Sequence, residues 1–159
     1  MSLLEIISPT SNSNNVDLNN VDLPFRLTIV KDNDCQNILE NVNSTKRILR
    51  LKGVNGSYSA RNKGLELLDS DSLVMLVDDD VHIVQFPNFN FVSGVLYVPN
   101  IKVRGQAITP LELWYKMNAF DQSKFINQGF APTICWLFKY SSKSLIFDDE
   151  KFSGGDVEA

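Results

Sequence analysis

A chain of 159 residues with 43% hydrophobic and 21% charged residues is typical of one globular domain with a substantial core. The formal net charge of -4 and the pI near 4.9 exclude a strongly basic surface, so we expect no nucleic-acid partner. No apolar run approaches the roughly 20 residues of a membrane-spanning helix, and the first residues lack a secretory signal, so we expect a cytoplasmic protein without a transmembrane segment.

The first elements along the chain are two short apolar runs separated by a polar repeat. Residues 4–7 predict a buried strand that ends in a polar loop. Residues 14–23 repeat the pentapeptide Asn-Asn-Val-Asp-Leu and predict a surface loop or a short, poorly ordered helix. Residues 26–30 are rich in β-branched side chains and predict a second strand.

Helices are predicted to alternate with the strands that follow. Residues 34–40 predict a short helix, residues 46–51 a third strand, and residues 57–68 a helix whose serines can serve as N-caps. Residues 73–77 form a continuous apolar run, which is typical of a central strand buried on both faces. This alternation predicts an α/β domain with a largely parallel sheet, which binds ligands at the carboxyl ends of its strands.

The second half of the chain predicts a more mixed arrangement. Residues 91–98 and 102–104 predict strands that pair antiparallel, and residues 110–120 predict a helix with proline at its first position. A last strand is predicted over residues 133–140. The expected fold is therefore one α/β domain over residues 1–159, with a mostly parallel central sheet flanked by helices and a small antiparallel addition.

Three consecutive carboxylates, Asp78, Asp79 and Asp80, follow the predicted central strand. Their mutual repulsion indicates a compensating cation or hydrogen-bond donors, and oxygen ligands favour Mg²⁺ or Mn²⁺ together with a diphosphate. The alternative is a solvated acidic loop. His82, the only histidine, lies two residues further and is interpreted as a surface group or as a residue that contacts the metal ligands, with an approach to the metal itself as the alternative.

Two more charged residues fall near predicted ligand positions. Arg61 lies in the first turn of a helix that follows a glycine-bearing loop, where a guanidinium and free amides can bind one anion. Alternatively, it is an exposed arginine paired with Glu66 or Asp69. Asp32 lies at the carboxyl end of the second strand and can accept hydrogen bonds from a nucleobase or ribose, although aspartate is also a common strand-ending residue.

Taken together, these segments resemble family 2 glycosyltransferases, which have the GT-A fold. Residues 56–68 and 73–80 resemble the Ala-Arg-Asn-x-Gly helix and the DxD strand of that family. Residues 6–10 and 29–33 are similar to its nucleotide-binding strand ends. Residues 147–158 resemble its Phe-Asp-Glu…Phe…Gly-Gly-Glu-Asp segment, which delivers the catalytic base of inverting members.

The resemblance implies a Rossmann-like GT-A fold, with a nucleotide-binding part at about residues 1–82 and an acceptor-side part at about residues 83–159. The implied nucleotide-binding residues are Pro9, Thr10, Asp32, Arg61, Asp78 and Asp79. Among these, the first three would line the nucleobase pocket and the two aspartates would face the ribose and diphosphate. Asp80 is the implied ligand of Mg²⁺ or Mn²⁺.

The resemblance also implies that Asp156 is the general base, with Glu158 in reserve. The expected function is metal-dependent, inverting transfer of a sugar from a nucleotide-diphosphate sugar to an acceptor hydroxyl. Because the chain stops at Ala159, the acceptor-side part is expected to be incomplete, and a partner chain would complete it. The alternative is a non-catalytic or truncated GT-A module that binds a nucleotide or a partner protein.

Overall fold

The computed structural model describes residues 3–87, 90–99 and 135–140, and within these ranges the chain is mostly β-structure. Strands account for 42% of the described residues and helix for 9%. The elements in chain order are β1 (Leu4–Thr10), β2 (Phe25–Asp34), β3 (Ile38–Asn41), β4 (Lys46–Lys52), α1 (Ser57–Leu65), β5 (Leu73–Val77) and β6 (Cys135–Lys139). Among these residues, no helix has both the length and the apolar character needed to cross a lipid bilayer.

All six described strands belong to one mixed sheet with the order β3-β4-β2-β1-β5-β6. The four inner strands run parallel, and β1 pairs with β2 on one side and with β5 on the other. The outer strands β3 and β6 run antiparallel to their neighbours. Parallel strands end on the same side of a sheet. We call this side, formed by Thr10, Asp34, Lys52, Val77 and the residues after them, the carboxyl edge.

The prediction of a helix-flanked, Rossmann-like GT-A fold is wrong. Mostly β-structure with a mixed sheet replaces it, and α1, with nine residues, is the one helix of the described ranges. An α/β architecture needs a helix at each crossover between parallel strands. Here only the connection from β4 to β5 contains a described helix, and residues 11–24, which connect β1 to β2, are extended or turn-like.

The repeat in that first connection covers the sheet without forming a helix. We call residues 14–23 the Asn-rich strap. Each copy of the pentapeptide places a Val and a Leu two positions apart, and these apolar side chains pack against the core cluster that contains Ile6 and Met75. The four packed side chains are Val16, Leu18, Val21 and Leu23. The strap therefore shields part of one sheet face as a loop, so that of the two predicted forms the short helix is wrong.

Polar side chains of the Asn-rich strap explain why it does not form a helix. Asn14 Oδ1 accepts a hydrogen bond from the Val16 amide at 3.2 Å, and Asp17 Oδ1 accepts one from the Asn19 amide at 3.0 Å. Such bonds from Asn and Asp to nearby amides compete with helical hydrogen bonding. The repeat is thus locally poor at forming a helix and well suited to a run of turns.

The predicted helix over residues 34–40 is also wrong, because the segment forms the edge strand β3. Asn33 has a left-handed backbone with φ of 58°, and the register between β2 and β4 shifts beside it, which bends the chain at the end of β2. Arg50 of β4 then contacts Asp34 at 3.0 Å and Glu40 at 3.3 Å. Pairing with β4 therefore overrides the weak local preference for a helix.

Helix α1 lies unusually close to β1 and β2 at Gly64. A Cβ atom at this position would lie 2.6 Å from Cγ2 of Ile7 and 3.1 Å from Cγ2 of Val30. Both of these side chains are fully buried, as is Ala60 on the preceding turn of the helix. The absence of a side chain at Gly64 therefore allows α1 to pack against the centre of the sheet.

In the second half, strand β6 confirms the strand predicted over residues 133–140 for the part that the structure describes. The prediction of a strand over residues 91–98 is wrong, since Tyr97 forms only an isolated bridge to β6. The strand predicted over residues 102–104 and the helix predicted over residues 110–120 lie outside the described residues.

Gly64→Ala tests the close packing of α1. In an exposed helix, alanine in place of glycine would stabilise by about 1 kcal/mol. Here the added methyl group meets Ile7, so we expect the free energy of unfolding in urea to fall by about 1–3 kcal/mol. Lys63→Ala, on the exposed side of the same helix, is the control and should change it by less than about 0.5 kcal/mol. An equally stable Gly64→Ala protein would contradict this packing.

Candidate functional site

The carboxyl edge gathers predicted site residues from four elements. They are Pro9 and Thr10 at the end of β1, Asp32 near the end of β2, Arg61 on α1, and Asp78, Asp79 and Asp80 after β5. Direct side-chain contacts join Arg61 to Asp78 and Thr10 to Asp79. Pro9 is buried within β1. The predicted base Asp156 and its reserve Glu158 lie outside the described residues.

Arg61 joins helix α1 to the aspartates. Its side chain is almost fully buried, and Nη2 donates a hydrogen bond to Asp78 Oδ1 at 2.8 Å. The guanidinium carbon also lies 5.5 Å from the centre of the Tyr58 ring, a distance typical of a cation–π contact. The predicted alternative of an exposed arginine paired with Glu66 or Asp69 is therefore wrong. The positive charge of Arg61 is directed at the first aspartate of the triplet.

The carboxyl group of Asp78 is not fully compensated by this ion pair. Burial raises its pKa, the charge and hydrogen bond of Arg61 lower it, and the like charges of Asp80 and Asp79 raise it. The net result is a pKa above the ordinary aspartate value. A bound cation or further hydrogen-bond donors would stabilise the ionised form and lower this pKa. The electrostatics of the triplet thus favour a positively charged ligand.

Asp79 is held by the end of β1 and by the segment that follows it. Thr10 Oγ1 lies 2.8 Å from Asp79 Oδ2 and 2.9 Å from the main-chain oxygen of Ser13, and its one proton can serve either acceptor. The main-chain oxygen of Asp79 accepts a hydrogen bond from the Asn15 amide at 2.7 Å. Both the side chain and the main chain of Asp79 are therefore fixed by residues from the first quarter of the sequence.

Asp80 differs from its two neighbours because it is exposed. In the described ranges, no three His, Cys, Asp or Glu side chains converge to hold a metal ion by themselves. Magnesium in phosphate-binding sites usually takes one or two protein carboxylates and completes its shell with phosphate oxygens and water. The carboxylate oxygens at this edge suit a metal ion that is bound jointly by Asp80 and a phosphate ligand better than a metal ion bound by protein ligands alone.

Asp32 is buried and directed into the loop that precedes α1. Its Oδ1 accepts hydrogen bonds from the Asn55 amide at 3.0 Å and from Asn55 Nδ2 at 2.8 Å. Its Oδ2 accepts one from the Gly56 amide at 2.9 Å. Gly56, with φ of 89°, is the N-cap of α1, and no side chain caps this helix. Asp32 therefore holds the start of α1 in place, a task distinct from the predicted contact with a nucleobase.

These hydrogen bonds set the protonation of Asp32. Burial raises its pKa, but the bonds from Asn55, Gly56 and Asn33 lower it further than burial raises it. The net pKa is below the ordinary value of 3.8. Sequence reasoning missed Asn55 and Gly56 as partners of Asp32. The sequence feature that could have identified these partners is an amide side chain followed by a glycine after β4, the strand next to β2.

The Asn-rich strap also reaches the carboxyl edge, which the sequence did not predict. Asp17 and His82 form an isolated parallel bridge, and His82 Nδ1 lies 2.5 Å from Asp17 Oδ2. His82 is thus bonded beside the aspartates, about one third exposed, in agreement with the interpretation of a surface group. The ends of the four parallel strands at the carboxyl edge are therefore joined by the start of α1 and by the strap.

The chain matches no model of a known protein family and no curated protein sequence. The resemblance to family 2 glycosyltransferases therefore depends on the quoted motifs alone and stays a prediction. What the structure contributes is independent of that resemblance. It brings a buried arginine, a threonine hydroxyl and three differently held carboxylates to one edge of the sheet.

Asp32→Asn tests the anchoring of α1. The folded pKa of Asp32 is lowered, so its contribution to stability is complete above the ordinary value of 3.8 and is lost as the pH falls through the folded pKa. We expect the variant to lose about 1–3 kcal/mol of unfolding free energy at about pH 7. The difference from the wild type should shrink in urea titrations below pH 3.8. Asp69→Asn, at an exposed aspartate, is the control; a difference that does not depend on pH would contradict the anchoring.

Proposed function

We propose that this chain is a metal-dependent glycosyltransferase that moves a sugar from a nucleoside diphosphate sugar to an acceptor hydroxyl, with inversion at the anomeric carbon. The observation that supports this most directly is the meeting of Arg61, Thr10 and the aspartate triplet at one edge of the sheet. These residues come from three separate parts of the chain. Their types suit a ligand that combines phosphates with a cation.

The start of α1 supports a phosphate-binding role for this edge. The helix begins there with Gly56 as N-cap and no capping side chain. Amides at the start of a helix bind phosphate oxygens, and the helix dipole adds to the attraction. Arg61, on the second turn of the helix, lies buried beside them and pairs with Asp78, so its charge adds to the positive potential at this edge.

The carboxylates have separate roles in the proposed complex. Asp78 is paired with Arg61 and keeps the guanidinium in position, while Asp79, which is hydrogen-bonded to Thr10, faces the ribose or diphosphate. Asp80 binds Mg²⁺ or Mn²⁺ together with phosphate oxygens. When bound, the metal ion stabilises the negative charge of the departing nucleoside diphosphate. The metal ion thus allows the three carboxylates to bind a diphosphate whose negative charge would otherwise repel them.

The acceptor side of the proposal derives from sequence alone. Asp156 is the proposed base that removes the proton of the acceptor hydroxyl, and Glu158 is its reserve. The expectations of a cytoplasmic location and of a partner chain that completes the acceptor site stay predictions. A module that binds nucleotides without transferring sugar is the alternative, and the second experiment below separates the two.

Thermal unfolding with uridine, guanosine and thymidine diphosphates and their sugar conjugates tests donor binding, with and without Mn²⁺. A ligand at about 100 times its Kd should stabilise the wild type by about 2.7 kcal/mol. Asp80→Ala should lose the Mn²⁺-dependent part of that stabilisation. Asp69→Ala, which removes an exposed carboxylate before β5, should retain it. If no member of the panel raises Tm, the proposed donor site is refuted.

Activity measurements on Asp156→Asn test the transfer step. We expect kcat for sugar transfer, or for donor hydrolysis in water, to fall by about 10²–10⁴-fold, because a general base is lost. The Kd of the donor should not change, and Glu158→Gln should behave like the wild type. A wild-type protein that binds donor but neither hydrolyses it nor transfers sugar would favour the non-catalytic alternative.

A further inference from the structure

The Asn-rich strap is hydrogen-bonded along the segment that contains the last two aspartates of the triplet. The Asn15 amide donates to the Asp79 carbonyl at 2.7 Å, and the Asp17 amide donates to the Val81 carbonyl at 2.9 Å. The Ile83 amide donates back to the Asp17 carbonyl at 3.0 Å. Donors and acceptors alternate as between two parallel strands. The main chain on both sides of Asp80 is therefore tied to the strap.

A side-chain pair locks this ladder. His82 Nδ1 lies 2.5 Å from Asp17 Oδ2, and a carboxylate only accepts hydrogen bonds, so the ring nitrogen donates. The two residues are also direct partners in the main-chain bridge. A slip of the strap by one residue would turn the Asp17 side chain to the other side and break the pair. The pair therefore fixes the register of strap and aspartate segment.

The opposite side of the strap is anchored in the core. Val16 and Leu18 of the first repeat pack against the cluster that contains Met75 and Val77 of β5. In the second repeat, Val21 and Leu23 pack against the same cluster, and Asn20 Nδ2 adds a hydrogen bond to the Ile83 carbonyl of the aspartate segment at 3.0 Å. The strap therefore joins the core cluster to the segment after β5, whose Val81 and Ile83 pack against the same cluster and whose Asp80 is exposed.

We propose that the Asn-rich strap sets the position of Asp80, and with it the affinity of the carboxyl edge for a divalent cation, with Asp17 and His82 as positioning residues. The cation part of this proposal rests on the proposed function. Asp80 is exposed, and its place relative to Asp79 is set by the main chain of the segment that the strap holds. Residues that orient metal ligands typically change metal affinity by about 10–100-fold when they are removed.

The decisive experiment measures the Kd of Mn²⁺ by electron paramagnetic resonance in the presence of the nucleoside diphosphate that stabilises the wild type most. Asp17→Ala and His82→Ala should each weaken Mn²⁺ binding by about 10-fold. Asp17→Asn keeps an oxygen that accepts from His82 Nδ1 and should restore the affinity to within about 3-fold. Glu40→Ala, which breaks an exposed contact to Arg50 at the β3–β4 end of the sheet, should leave it unchanged.

A second measurement separates failure of this inference from failure of the proposed function. Amide hydrogen exchange at Asn15 and Ile83 reports the ladder directly, with no ligand present. Asp17→Ala should accelerate exchange at both amides, and Glu40→Ala should not. Unchanged exchange overturns the role of the strap even if Mn²⁺ binds. If the wild type binds no Mn²⁺, the cation part falls with the proposed function, and faster exchange still supports the strap as the element that holds the aspartate segment.

Discussion

The burial of β1 between two parallel neighbours is the constraint on which this structure depends. All seven residues of β1 are buried, and its pairings with β2 and β5 fix the register of the three strands and bring their ends to the same edge of the sheet. Ile7 pairs with Leu76, so three residues further along both chains Thr10 meets Asp79. The contact at the edge is thus a result of register. Apolar strand residues determine where the polar residues meet.

Three adjacent aspartates acquire different properties from this arrangement. Asp78 is half-buried against Arg61 with a raised pKa, Asp79 is held by a hydroxyl and a main-chain amide, and Asp80 is exposed to water. The three identical residues therefore differ in their surroundings. Asp78 orients the guanidinium of Arg61, Asp79 is held by its neighbours, and Asp80 is open to a ligand. That separation of roles is what the proposed donor site uses.

The sequence predicted strands well where local pattern and tertiary environment agree. The apolar runs that became β1, β2, β4 and β5, and the helix that became α1, were all recognised, but the serines predicted as N-caps of α1 do not cap it, and Gly56 is the N-cap. The prediction was wrong for β3, where pairing with β4 determines the structure. It was also wrong in giving the Asn-rich strap a possible helix, because the Val and Leu side chains of the repeat pack against the core without one. The edge location of Arg61 and the aspartates was foreseeable from strand order. The hydrogen bond from Asn55 to Asp32 was not foreseeable, because it depends on the position of β4, the parallel strand next to β2.

The missing side chain at Gly64 also affects the charged edge. Gly64 and Arg61 lie three residues apart on α1, so they share a side of the helix and move together with it. The close packing of Gly64 against Ile7 and Val30 therefore determines where the guanidinium of Arg61 contacts Asp78. A variant that enlarges residue 64 and still folds would have to shift the helix or the Ile7 side chain, because an added Cβ atom would lie 2.6 Å from Cγ2 of Ile7. Ligand affinity at the edge would then report on packing in the core, although residue 64 touches no ligand.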